Sequence, residues 1–211
     1  MRRRTGGAGK LLCALLALAG CLGAGCGAER ADIVVAQQYG VAYAPLEIMK
    51  ERGMLEERLP GVRIEWQQFG GPTAVGEGML AGQIDLGFMG IGPALMGMDS
   101  GMPWRFAGGL SQNEVALVAG EGVDSLADFG ERDRIAVLSP GCTQHILLCM
   151  AAQRELGDMS AFDSRIVSLS HPDAMNALLS GTEVTAHFAT PPYLDMELAA
   201  GLHTVITGEE I

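Results

Sequence analysis

From residue 32 onward the chain alternates short apolar runs with longer stretches whose apolar positions recur every three or four residues. Strand-like runs of this kind, separated by helix-like stretches, are the signature of an α/β protein. Asp32–Gln37 reads as a buried strand. Pro45–Arg52 reads as a helix, with proline near its first turn and Gly53 just past its end. Val62–Trp66 alternates as a strand. Gly70-Gly71-Pro72-Thr73 opens a helix that runs to about Ala81 and stops at Gly82. Ile84–Phe88 is a third strand, and Gly90-Ile91-Gly92-Pro93 opens a short helix. The order β-α-β-α-β-α predicts a parallel sheet with helices on its faces.

The pattern then renews itself. Trp104–Ala107 and Glu114–Ala119 read as strands joined by residues 108–113. Ser125 and Asp128 have capping-box spacing, with Asp in place of Glu. Arg134–Leu138 is a strand, and Ser139-Pro140-Gly141-Cys142-Thr143 opens the longest helix, which ends near Gly157. Arg165–Leu169, Val184–Ala189 and Thr204–Thr207 are further strands. Between them lie helices over Pro172–Ser180 and Pro191–Ala200, each stopped by a glycine. Four strand ends thus run into Gly- or Pro-rich turns that open helices, at residues 70–73, 90–93, 139–143 and 190–192. A helix N-terminus presents unpaired N–H groups and a partial positive charge. Such turns at the carboxyl ends of parallel strands suit an anion or a polar group. Four of them, shared between two α/β halves, predict a cleft between two lobes.

The first 20 residues follow a different logic. Arg2, Arg3, Arg4 and Lys10 form a basic head, and Leu11–Ala19 is apolar. That run falls short of the roughly 20 residues of a membrane span. A basic head, a short apolar run and small residues are the layout of a secretory signal. Leu18-Ala19-Gly20-Cys21 also resembles the bacterial lipoprotein signal, in which the cysteine is lipidated and becomes the first mature residue. Cys26 is a second candidate. The expectation is a signal over 1–20, with a lipidated Cys21 and tether over 21–31. The chain is then exported, periplasmic or at the cell surface, and held to the membrane by lipid.

Composition narrows the classes further. The 211 residues are 48% hydrophobic and 18% charged, which excludes a disordered chain. Acidic residues number 25 and basic ones 14. Taking away the four basic residues of the signal, 14 less 4, leaves 10 against 25 and a net charge of −15. Nucleic acid is excluded as a partner, because the chain has neither a basic footprint nor, at 5% aromatics, a stacking platform.

The candidate chemistry is sparse. Cys142 and Cys149 lie seven apart, about 10 Å along a helix, too far for a disulfide or for one tetrahedral ion. No metal and no cofactor is expected. His145 stands near the start of the long helix, while His171, His187 and His203 are scattered without ligand spacing and read as core or solvated side chains. Neither a G-x-S-x-G nor a P-loop motif occurs. The remaining enzymatic option is a Cys142–His145 nucleophile pair, activated by the helix N-terminus.

Three segments carry a resemblance: VRIEWQQFGGPTAVGEGMLAGQIDLGFMG, GVDSLADFGERDRIAVLSPGCTQHILL and ALLSGTEVTAHFATPPYLDMEL. Together they resemble the solute-binding component of ATP-binding-cassette importers of the nitrate/sulfonate/taurine type, from Asp32 to the end. The resemblance implies an α/β, two-lobed periplasmic-binding fold of type II. Lobe one would span 32–118 and lobe two 119–198, and 199–211 would return to lobe one with Thr204–Thr207 as the re-entry strand. Members of the family usually continue further, so the chain is expected to be truncated, with lobe one incomplete and apolar sheet surface exposed. The implied function is capture of a small solute by a monomer and its delivery to a membrane permease with its ATPase. The implied contacts lie at Gln38, Tyr39, Gly40 and Tyr43; at Gly71, Pro72 and Thr73; at Met89, Gly90 and Ile91; at Ser111; at Gly141, Cys142, Thr143 and Gln144; and at Thr190, Pro191 and Tyr193. Tyr39 and Tyr43 offer a ring face, a hydroxyl or ordinary packing, and Thr73 caps its helix or donates to ligand. None of these turns holds Arg or Lys, so an anion would rest on N–H and hydroxyl donors. Relatives carry a Trp-Asp-Pro-like run where this chain has Ala189-Thr190-Pro191-Pro192, which places an amine-bearing ligand in question. The rival functions are an enzyme, thiol-dependent or of the pyrimidine-precursor type on the same fold, and a lipid-anchored sensor domain.

Overall fold

In the computed structural model, residues 30–182 and 184–211 are described. The export signal and the lipidation expected at Cys21 or Cys26 lie outside them. Two sheets organise the rest. The first has three parallel strands in the order β2-β1-β3, with β1 Ile33–Gln38, β2 Ile64–Phe69 and β3 Leu86–Gly87. The helices α1 Ala44–Glu51 and α2 Met54–Arg58 follow β1, α3 Pro72–Leu80 follows β2, and α4 Ile91–Asp99 follows β3. The period-2 alternation of a strand sorts its faces. Val34 and Ala36 pack with Val75 of α3 and with Ile84, while Gln37, on the other face, bonds to Glu47 of α1.

The second sheet has five strands in the order β6-β5-β7-β4-β8. These are β4 Ala116–Ala119, β5 Ile135–Val137, β6 Ile166–Ser168, β7 Ala186–Ala189 and β8 His203–Thr207. Strands β4, β5 and β7 are buried along their whole length. Leu117, Ile135, Val137 and Phe188 face one core with Leu148 and Ala151 of α5 Thr143–Leu156. Ala116, Val118, Ala136 and Ala189 face the other, with Ala174 and Leu178 of α6 His171–Ser180 and Leu194 of α7 Tyr193–Ala199. Near-continuous apolar strands are what a sheet covered on both faces requires.

Several expectations change. Trp104–Ala107 is not a strand. The Trp104 ring instead seats against α4, where Gly97 leaves room for it (a Cβ there would stand 1.9 Å from the ring), and its Nε1–H donates to the Ala94 carbonyl at 3.1 Å. The re-entry strand expected at Thr204–Thr207 lies in the five-stranded sheet, antiparallel to β4. Because β4 belongs wholly to that sheet, a boundary between residues 118 and 119 would cut a strand. The segment after Ser125 is a 3-10 turn, Leu126–Asp128, and its capping box forms as the spacing predicts. Exposed apolar surface in the first half sits chiefly on helices, since β1 is largely buried while Leu80, Ile91, Leu95 and Met96 are more than half exposed.

Phe188 is fully buried at the centre of the larger core. Phe188→Ala is expected to cost about 3–5 kcal/mol, read as a lower urea midpoint by circular dichroism.

Candidate functional site

The carboxyl ends of the two sheets meet at their turns. Gln38 ends β1 and donates from Nε2 to the Phe88 carbonyl at 2.9 Å, which ties β1 to the end of β3. Gly40 follows with φ 121°, a conformation that favours glycine. Its backbone lies against Thr190 and Pro191, and the Val41 N–H donates to the Pro191 carbonyl at 2.9 Å. Gly71 N-caps α3 and packs on Leu138, with Pro72 at the first helical position. Thr73 does not cap the helix. Its hydroxyl donates to Ser139 Oγ at 2.8 Å. Gly90, the N-cap of α4, meets Thr143 so closely that a Cβ would stand 2.0 Å from Thr143 Oγ1. Ser111 donates to the Ala42 carbonyl at 2.8 Å, and Asn113 donates to Thr190 Oγ1 at 2.6 Å. The turns at 70–73 and 90–93 therefore meet the turn at 139–143, and the turn at 190–193 meets Gly40 and Val41.

Beside this junction lies a cavity of about 260 Å³. Pro72, Thr73, Met89, Met96, Trp104 and Gly141 are among its lining residues, and Glu77 is the one charged side chain there among the described residues. Tyr39 is exposed and Ile91 more so. Tyr43 is half-buried, and burial pushes its phenol up to about 12, so its hydroxyl stays protonated. Burial, and to a lesser extent the Tyr39 phenol, raise the Tyr193 hydroxyl above its ordinary value.

Two candidate contacts turn away from the junction. Cys142 is fully buried, and its Sγ accepts the His145 backbone N–H as the N-cap of α5. The Cys142–His145 nucleophile pair does not form: the His145 ring accepts the Gly141 N–H at Nδ1, 3.1 Å, and lies 3.8 Å from Cys149 Sγ at Nε2. Gln144 is buried, with its amide 3.4 Å from His171 Nε2.

That contact opens a buried chain which sequence spacing did not reveal. His171 Nδ1 lies 2.8 Å from His187 Nε2, and His187 Nδ1 lies 2.6 Å from Glu197 Oε1. The Tyr193 ring stacks on His171 at 5.7 Å. Burial lowers both imidazoles to about 3, with His187 also acting on His171, and raises Glu197 to about 8. Glu197 Oε2 is buried without a hydrogen-bond partner, which suits a neutral acid. Gln144 Nε2 then donates to His171 Nε2, His171 Nδ1–H donates to His187 Nε2, and His187 Nδ1–H donates to Glu197 Oε1, so the acid carries its own proton on Oε2. The three residues come from β7, α6 and α7, so no local spacing links them. The one local signal is a histidine inside the apolar strand AHFA.

No protein-family profile and no curated protein matches the sequence. Solved structures do. One is the alkanesulfonate-binding protein SsuA from Xanthomonas axonopodis pv. citri bound to MOPS, with TM-score 0.67 and 22% identity over 86% of this chain and 62% of that one. The periplasmic aliphatic sulphonate binding protein SsuA from Escherichia coli has TM-score 0.59 and 23% identity over 85% and 62%. The periplasmic nitrate-binding protein NrtA from Synechocystis has TM-score 0.63 and 16% identity over 85% and 52%. The fold is that of the two-lobed periplasmic binding proteins. The chain spans 62% of the length of both SsuA proteins. The junction described above is where the three-stranded and five-stranded sheets come into contact.

The buried chain sets a pH dependence. As pH falls from 6.5 toward 3, the unfolded state takes up two protons at His171 and His187 that the folded state refuses, so stability falls. As pH rises from 4.5 toward 8, the unfolded state loses a proton that folded Glu197 keeps, so stability falls again. Two protons outweigh one between 4.5 and 6.5, which puts the optimum of this network near pH 6.5. Glu197→Gln is expected to remove the loss between about pH 6.5 and 8 while keeping the acid limb, as read by urea unfolding across that range.

Proposed function

We propose that the chain is the extracytoplasmic solute-binding component of an ATP-binding-cassette importer. It captures a small solute between its lobes and delivers it to a membrane permease. The observation that carries this reading is the convergence of glycine-bearing helix starts from both sheets on one junction, at Gly71 with Leu138 and at Gly90 with Thr143. Binding of this kind needs reversible closure and no bond making. Closure excludes water and so strengthens the few polar contacts that the turns supply. Supporting the same reading, the structural neighbours are named as binding proteins. Lipid on Cys21 would keep the carrier beside its permease.

The solute is small, because the cavity of about 260 Å³ falls just below the usual range of roughly 300–1,000 Å³. Trp104 and the methionines give the cavity an apolar wall, and Glu77 gives it a negative charge. A zwitterion that carries an amine, such as taurine, answers that charge better than bare nitrate does. Its acidic end would meet the N–H and hydroxyl groups of the turns.

A thermal-shift panel of taurine, alkanesulfonates, nitrate and heterocyclic vitamin precursors tests the reading. A ligand at 100 times its Kd stabilises the native state by about 2.7 kcal/mol and raises the Tm accordingly. Taurine is expected to shift the folded chain more than nitrate does. Gly90→Val, whose side chain would collide with Thr143, is expected to weaken binding at least tenfold with the lobes still folded. A folded chain that responds to no compound of the panel would overturn the proposal.

A further inference from the structure

The long helix α5 carries His145 and Cys149 four residues apart, hence on one face. Asp163, from the 3-10 turn Asp163–Arg165 beyond the helix, closes on the same spot. His145 Nε2 lies 3.8 Å from Cys149 Sγ and 4.0 Å from Asp163 Oδ1, and the three donor atoms lie within 4.8 Å of one another. Around a tetrahedral ion, bonds of about 2.0–2.3 Å to N, O and S put neighbouring donors roughly 3.3–3.6 Å apart. Side-chain adjustments of well under 1 Å on most edges would bring the cluster to that spacing. The imidazole is one-fifth exposed and the carboxylate well exposed, so an ion can enter and water can complete the shell.

We propose that His145, Cys149 and Asp163 bind one borderline-soft divalent cation such as Zn²⁺, with solvent in the remaining position. Imidazole, thiolate and carboxylate together suit zinc and disfavour calcium or magnesium, which seek oxygen alone. Without an ion, burial and the Asp163 carboxylate hold the Cys149 thiol protonated. A dication between the two groups reverses that balance, and the thiol loses its proton to solvent as the metal–sulfur bond forms.

The ring needs its own accounting. Nδ1 accepts the Gly141 N–H, so the neutral ring carries its proton on Nε2. A metal at Nε2 requires that proton to leave; it moves to Nδ1, opposite the Gly141 N–H, and frees the Nε2 lone pair for the ion. The hydrogen bond then breaks. One ion therefore releases one proton overall, from Cys149, and frees the turn that leads into α5. The site stands whether or not the lobes carry a solute.

The test is titration of the full chain with Co²⁺, followed by competition with Zn²⁺. The expected result is one ion per chain, a sulfur-to-cobalt charge-transfer band and tetrahedral visible bands. Calorimetry in buffers of differing ionisation enthalpy should return about one proton released per ion. Cys149→Ser should abolish the charge-transfer band, and Cys142→Ser should leave it unchanged. Asp163→Asn alters an exposed side chain and keeps the fold, and it should weaken binding at least tenfold. ¹⁵N spectra should show the His145 proton moving from Nε2 to Nδ1 on metal addition. A band that survives Cys149→Ser, or full affinity in Asp163→Asn, would overturn the proposal.

Discussion

The two halves of this chain are in contact because glycine lets backbone come close to backbone and to side chains. At Gly90 a single added methyl would drive into the Thr143 hydroxyl, and at Gly71 it would press on Leu138. Around these approaches stand only a few polar links, among them Thr73 with Ser139 and Val41 with Pro191. Each such bond contributes on the order of 1 kcal/mol net. A junction held by close approach and a few modest bonds needs small residues at its centre more than strong ones.

Behind the junction the larger lobe is stiffened by polar groups without charge. His187 sits in a strand otherwise made of alanine and phenylalanine, and its position is tenable because His171 and Glu197 satisfy both ring nitrogens. A buried ion pair there would face a large desolvation cost, whereas a neutral acid and two neutral imidazoles avoid it. The chain ends against Tyr193 and Gln144, so the wall of the junction on this side is anchored to the middle of the lobe.

Much of the architecture was legible in the residues, because strand alternation and glycine punctuation are local signals. Asp32–Gln37 and Val184–Ala189 lie within a residue or two of β1 and β7, and Gly157 and Gly181 close their helices in the left-handed conformation. Pairing partners are not local, so the residues of Thr204–Thr207 do not by themselves show that this strand pairs with β4. Trp104–Ala107 has strand composition, but a ring lodged against Gly97 outweighs local preference. At the site, turn positions were legible and side-chain directions were not. Cys142 and Gln144 occupy the expected turn yet point into the core, because a cap and a buried imidazole claim them. The partnership of His145 with Asp163 spans a helix and a turn, and spacing along the chain does not encode it.

The strand β3 consists of two residues, Leu86 and Gly87, at the edge of a sheet that has three strands among the described residues. Little ladder holds it, so this margin is where cooperative order is thinnest. Amide exchange is therefore expected to be faster at this margin than along β4, β5 and β7, whose residues are buried throughout.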